Sequence, residues 1–550
     1  MKTVFYQGLE VFLAVGFFLI APGLIVRLFI GRMGDASASS FSCFSLIVES
    51  FLLSILITGF LGVALSTFHI GLDTVKYFLG GFEMAAFGLL IYTAKGSKSK
   101  SYFSTTLQRL DKWALAFIGA FSLIMLIQGG VLDMLADGWW HMAYANQMVS
   151  ENSIWISRHP ISGHEISAVL YPPLWHLQLA LISDFTRLDL PIIWHHMAAF
   201  NSVFLLSALY LMTVVLTGRK SIALLAVVLH VFLVGGLSSY ARVGAWPGNF
   251  AYVALYYAFG MTLLISDQLS AAQNKWPSQR HADKTTIISI CLFICALAVA
   301  VGLHGVAPAL FLLGVFAYWL ALGVFGVIGN DQRLTTDRWI AGIILTIGAV
   351  VGLLFAATVF DSRYRFLFSS PPAYEPYLSL LIPIGITTLI ALYRPLHVRS
   401  SETWGVARFR ALYFLVLAAA LIWSVDWSHA LELFFPNPKP IGRHVPRDFQ
   451  DSMGNWVFLP FWEHQLRGGL LWSGIFGLLV GLVLPAFKKD RASIFIFSLC
   501  SLVFLVLFSP YFFTLAAFII PLSSVYRVSL LLLAPIIFSM ALHYLVFARR

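Results

Sequence analysis

Apolar runs of 18 or more residues recur along this chain from its first residues to its last, separated by short polar segments. A helix rising about 1.5 Å per residue crosses a ~30 Å hydrocarbon layer in such a run. A water-soluble enzyme is excluded: it would be about 25% charged, whereas this chain is 11% charged and 59% hydrophobic. A membrane β-barrel is excluded because its short strands alternate in polarity and these runs are continuous. The expected fold is an all-α polytopic membrane protein with about 14–15 transmembrane helices.

The candidate spans fall near 5–30, 43–70, 74–94, 113–132, 190–217, 221–238, 249–269, 286–303, 306–329, 339–358, 377–393, 409–425, 468–486, 492–508 and 526–547. The net charge of +10 does not indicate nucleic acid, because the basic residues sit in short loops between apolar runs, where insertion topology accounts for them. If the Lys- and Arg-rich loop 95–112 faces the cytoplasm, alternation gathers more than twice as many basic residues on that side as on the other. Loops 31–42, 218–220, 270–285, 330–338, 394–408 and 487–491 and the C-terminal tail share that side. This parity leaves the N-terminus outside and requires segment 133–189 to remain outside. The apolar run Leu174 to Ile182 within it is too short to span and reads as an interfacial helix. Two large outer loops result, 133–189 and 426–467. Cys43, Cys291, Cys295 and Cys500 all lie in apolar stretches and suggest neither a disulfide framework nor a zinc site.

Segment 133–189 carries most of the chemistry-bearing residues. Asp133 and Asp137 stand where a span ends, and Trp139 to Met148 suits a short amphipathic helix with Trp139 and Trp140 as interface anchors. His141 follows Asp137 by four residues, so one point in space is within reach of both. His159, His164, Glu165, Tyr171-Pro172-Pro173-Leu174 and His176 follow. The two aspartates suit catalysis and suit helix capping.

In their order, Asp137, the helix through Met148, Ser153-Ile154-Trp155 and Tyr171-Pro172-Pro173-Leu174 resemble the first external loop of GT-C fold glycosyltransferases, nearest to aminoarabinose transferases and protein O-mannosyltransferases. Gly138 stands where many members have Glu, and Tyr171 where aminoarabinose transferases have Lys. The likeness covers roughly 113–310. It implies helices 1–112, a GT-C-like catalytic module 113–330 and a C-terminal transmembrane module 331–550. It also implies inverting transfer of a sugar from a polyprenyl-phosphate carrier to a glycan, lipid or protein acceptor, at the periplasmic face of a bacterial inner membrane.

Such transfer needs a carboxylate to take the acceptor's proton and cations on the departing phosphate. Asp137 is the expected base, with Asp133 second. Arg242 and Arg527 are the expected phosphate ligands, although an Arg anchoring a helix end at the head groups reads equally well at position 242. His141, Tyr171, His176 and Trp246 are expected to bind substrate. Some members use a divalent cation, Mg2+ or Mn2+, for which His164, Glu165 and His304 are the candidates here. The second outer loop, with Pro436, Pro438, Pro440, Pro446 and the aromatics from Trp456 to Trp462, reads as a cap over the site or as an acceptor platform. Two other readings stay open. An O-antigen-type polymerase or ligase shares a large late outer loop. A lipid or sugar transporter would carry ionisable residues within its spans, for which Glu10, Glu49, Glu83 and His230 are the candidates.

Overall fold

The computed structural model describes residues 2–33, 42–96, 108–129, 138–165, 171–233, 245–273, 284–329, 336–348, 477–482, 484–485, 490–508, 516, 520 and 522–547. Among these the secondary structure is helical, apart from one isolated antiparallel bridge between Arg158 and Glu165. Helices α1 (Lys2–Val15), α2 (Ala21–Met33), α3 (Cys43–Thr67), α4 (Val75–Gly96) and α5 (Arg109–Gln128) come first. They are followed by α6 (Gly138–Glu151), α7 (Leu174–Thr186), α8 (Leu190–Thr217), α9 (Lys220–Leu233), α10 (Pro247–Gln273), α11 (Lys284–Leu303) and α12 (Val306–Gly329). The C-terminal region contributes α13 (Arg491–Phe508), a 3-10 helix (Leu522–Leu531) and α14 (Ala534–Phe547).

Eight described stretches are long and apolar enough to cross a membrane: Tyr6–Ile30, Cys43–Thr67, Arg109–Gln128, Leu190–Thr217, Pro247–Ala271, Lys284–Leu303, Val306–Gly323 and Arg527–Tyr544. The protein is thus an all-α, multi-pass membrane protein. The expected spans 377–393 and 409–425, parts of 339–358 and 468–486, and loop 426–467 lie outside the described residues.

Two compact units are present, one of residues 1–308 with 539–550, the other of 309–538. The helices of 1–112 do not stand apart from those that follow, because α3 packs on α8, α10 and α11. In the first unit α3, α8 and α10 form the centre, with Phe51 stacked on Phe204 at 4.3 Å and Phe44 on Tyr210 at 4.1 Å. Lipid is as apolar as leucine, so association there depends on close packing and hydrogen bonds rather than on escape from water. Gly23 shows this most clearly. A Cβ at this position would overlap the Ser50 carbonyl oxygen, and the Gly23 N–H donates to Ser54 Oγ at 2.9 Å. The first span also contains a π turn at Gly16–Ile20, just before Pro22. Proline lacks an N–H and crowds the carbonyl four residues back, and one wider turn relieves both.

Three buried carboxylates share one pattern, each bound by a cation and a tyrosine hydroxyl. Glu49 pairs with Arg27 and accepts from Tyr257 Oη at 2.7 Å. Asp111, which also closes a capping box with Gln108, takes Lys220 at 2.6 Å and Tyr210 Oη at 2.7 Å. In the second unit Asp337 receives Arg491 through two bonds, 2.7 and 2.8 Å, and Tyr318 Oη at 2.7 Å.

These contacts bear on the relative sides of the loops. Loops 95–112 and 218–220, placed together by charge counting, meet through Lys220 and Asp111. Arg219 reaches His543 near the C-terminal tail. In the second unit 330–338 and 487–491 meet through Asp337 and Arg491. At the opposite end of the first unit, a Cβ on Gly129, which closes α5, would overlap the His195 ring near the start of α8. Gly8 of α1 packs beside His196, so the start of the chain lies at that same end.

Candidate functional site

The segment after α5 is folded into the end of the helix bundle. Helix α6 presents His141, Met142, Ala145 and Met148 on one helical face, and all are buried together with Tyr144. It stops at Asn152, whose φ of 50° is left-handed, a conformation asparagine tolerates. The Asn152 side chain and carbonyl then clamp the α3–α4 turn: its Oδ1 accepts from Asp73 N at 3.0 Å and its O from Leu72 N at 3.0 Å. Two residues on, Ile154 N donates to Ser66 Oγ at the end of α3 at 3.0 Å.

Helix α7 follows the Pro172-Pro173 pair, since the first turn of a helix has no N–H partners to lose. Its leading side chain, Leu174, wedges against Gly59 of α3 and Gly302 of α11; a Cβ at either glycine would run into it. Expected as an interfacial helix, α7 is instead packed inside protein, with Trp175 to Ile182 all buried. Gln178 Nε2 donates there to Thr58 Oγ1 at 2.6 Å. At 13 residues it is about 20 Å long and does not span.

Four of the residues expected in the site are brought together. The His141 and His176 rings are joined at 3.0 Å between His141 Nδ1 and His176 Nε2, and His176 Nδ1 lies 3.2 Å from the Pro172 carbonyl. Tyr171 meets His141, His176 and His304 edge to face, with centroids at 5.1, 5.3 and 5.7 Å. Tyr144 packs on His176 at 4.4 Å and Trp194 of α8 stacks on His141 at 6.2 Å. The cluster thus joins α6, the Pro-Pro box, the start of α8 and the end of α11. His304 accepts from Val306 N at its Nδ1 (3.2 Å) and packs beside Gly248. Trp246 lies two residues before that glycine, part-buried at the start of α10.

The bonding assigns the tautomers. A carbonyl only accepts, so His176 Nδ1 carries the proton and its Nε2 a lone pair, which must accept from His141 Nδ1–H. Complete burial, with His141 adjacent, pushes His176 well below the ordinary histidine range and keeps it neutral. Burial likewise pushes the Tyr144 phenol up to about 12, so it too stays uncharged.

Other expected site residues fall elsewhere. His164 and Glu165 occupy an exposed turn closed by the Arg158–Glu165 bridge, while His304 is buried. Among the described residues no three His, Cys, Asp or Glu side chains are grouped as a metal ion requires. Asp133, Asp137 and Arg242 lie outside the described residues. Arg527 is part-buried in the second unit. Trp139 is 40% exposed, as an interface anchor should be, whereas Trp140 turns onto His159 with centroids 5.0 Å apart. Sequence reasoning missed Trp194, Tyr144, Gly59 and Gly302. For the glycines the available signal was a residue without a side chain inside an apolar run, which marks close helix approach.

No protein-family model, curated protein or solved structure matches this chain.

Proposed function

We propose that this chain is a polytopic membrane glycosyltransferase of GT-C-like architecture, moving a sugar from a polyprenyl-phosphate carrier to a glycan, lipid or protein acceptor. The proposed setting is the periplasmic face of a bacterial inner membrane. The supporting observation is the joining of His141, Tyr171, His176 and His304 into one polar aromatic cluster at the ends of the spans. A purely structural connection between spans has no need to fold its polar residues together. A lipid-anchored donor requires its reacting atoms near the ends of the membrane helices, where this cluster lies.

Inversion at the sugar requires a proton acceptor at the acceptor oxygen and a cation at the leaving phosphate. The chain offers Asp137, with Asp133 second, for the first role, and Arg242 and Arg527 for the second. Tyr171, His176 and Trp246 would shape the sugar pocket. No step here is routed through a divalent cation.

A second reading, a lipid or sugar transporter, draws support from the Arg27–Glu49–Tyr257 network buried among the spans, since ionisable groups there often line transport paths. Proteoliposomes containing the full chain and undecaprenyl-phosphate monosaccharides separate the two. Transfer to envelope lipid or glycan acceptors supports the first reading. Donor translocation without transfer overturns it. Equal transfer by wild type and Asp137→Asn would remove Asp137 as the base and leave the activity standing.

A further inference from the structure

We propose that the exposed face of helix α4 is the seat of a second membrane-spanning helix, supplied by a separate polypeptide, that carries a lysine or arginine at mid-span and pairs it with Glu83. Helix α4 has 22 residues, about 33 Å, enough to cross the hydrocarbon layer. Glu83 stands roughly 12 Å along the axis from Val75, near the middle of that layer. The residue is half-buried at the border of the packed face of α4, and among the described residues its Oε1 atom, itself buried, meets no hydrogen-bond donor. Lys76, two turns earlier on the same helical face, is held by Asp184 at 2.7 Å. A carboxyl group at such depth is costly without a partner and marks a place where one binds.

The rest of the chain indicates what that partner carries. Glu49, Asp111 and Asp337 each receive a cation and a tyrosine hydroxyl. Glu83 receives neither among the described residues, and it stands on a helix whose surface is largely uncovered. Helix α4 packs on α2, α3 and α7, with Val75 and Leu79 buried. Tyr77, Phe78, Met84, Phe87, Leu89 and Tyr92 are all exposed. Gly80, Met84 and Gly88 follow one another at four-residue spacing and form a row beside Glu83 and Phe87. A Cβ on Gly88 would meet nothing within 4 Å, and one on Gly80 would meet Phe17 at 3.8 Å. The row is therefore open to close approach by a neighbouring backbone, which helix association in lipid favours.

Charge decides among the possible occupants. Lipid chains would cover the aromatic side chains equally well but bring no donor to mid-membrane depth. A second copy of α4 would bring another carboxylate to a place that calls for a cation. A transport path runs between packed helices, whereas Glu83 borders an exposed helix face. A basic residue on a separate span completes the pattern set by the other three carboxylates.

The full chain reconstituted in phosphatidylcholine vesicles tests this, with synthetic spans as probes. Three acceptor-labelled Leu-Ala helices, bearing Lys, Leu or Glu at their centre, are titrated against donor-labelled protein, and association is read by energy transfer. The Lys helix should bind about tenfold more tightly than the Leu helix, and the Glu helix no better than the Leu helix. Glu83→Leu should abolish the preference for Lys. Gly88→Leu keeps the carboxylate but obstructs the row, and it should weaken binding of the Lys helix severalfold. The proposal is overturned if the Lys and Leu helices bind wild type alike, if the Lys preference survives Glu83→Leu, or if Gly88→Leu leaves it unchanged. Self-association of the wild-type chain that Gly88→Leu abolishes would assign the face to a second copy and overturn it as well. If Glu83→Leu fails to fold, Gly88→Leu decides, since its added side chain starts in open space. None of these readouts depends on sugar transfer.

Discussion

Removing one member of the Arg27–Glu49–Tyr257 network should destabilise the first unit far more than removing all three. Both ionic side chains are buried, at 9% and 6% exposure, so neither is screened by water. Glu49 accepts from the Arg27 guanidinium and from Tyr257 Oη at 2.7 Å, two charge-assisted bonds. Arg27→Met strands a buried carboxylate, and Glu49→Leu strands a buried guanidinium; each should cost about 3–5 kcal/mol. In Arg27→Met/Glu49→Leu both charges go together and the Tyr257 hydroxyl is left without its carboxylate, worth about 1–3 kcal/mol. Adding Tyr257→Phe should bring stability back near wild type. The singles therefore sum to roughly 6–10 kcal/mol while the double loses about 1–3, a coupling of around 5 kcal/mol. Unfolding of the purified protein in mixed micelles, titrated with sodium dodecyl sulfate, measures all four. Additive singles, or a triple variant less stable than either single, would refute the claim that the network is self-compensating. Retained sugar transfer by the triple variant would further separate this structural role from the transport reading.

Gly23→Val should lower stability sharply by forcing α2 away from the Ser50 carbonyl, whereas Gly16→Ala, with nothing within 4 Å of its added methyl, should be near neutral; thermal melts of the two compare them directly. Lys220→Met should cost only about 1 kcal/mol, because the lysine side chain is 31% exposed and Asp111 keeps Tyr210 and its Gln108 cap, while Asp111→Leu should cost more in the same unfolding assay. For His176 the folded protein holds the ring neutral well below its unfolded value near 6.5, so the unfolded chain binds the extra proton as pH falls beneath that value. Stability present at pH 7 should then be lost on acidification, by up to about 1.4 kcal/mol per pH unit, and Tm measured from pH 7 to pH 5 should fall less steeply for His176→Gln than for wild type.

How much of this was legible in the sequence follows from the range of each interaction. The spans were legible because hydropathy is a local sum, and the described apolar helices fall where the runs were read. Charge counting adds over many loops, and two pairs of the loops it grouped meet, through Lys220–Asp111 and Arg491–Asp337. What local reading missed is pairing across distance. Arg27 sits in a run read as apolar, and its partner lies 22 residues away on another helix; Glu49, taken alone, looked like a transport group. Helix α7 was misjudged for the same reason. The run from Leu174 to Ile182 was read as interfacial because it is too short to span, and the partners that hold it inside protein, Pro172 for His176 and Thr58 for Gln178, lie outside the run. The site follows this division. His141, Tyr171, His176 and His304 could be singled out as polar residues at span ends, but the direction of the bonds among them could not, because it depends on one carbonyl freed by a proline pair. A polar residue near an apolar run therefore means little until its partner is known. The cation–carboxylate–tyrosine nodes, whose charges are paired, read as structural, and the imidazole pair, packed with Tyr171 and His304 at the span ends, is where the chemistry of the proposed function would be sought.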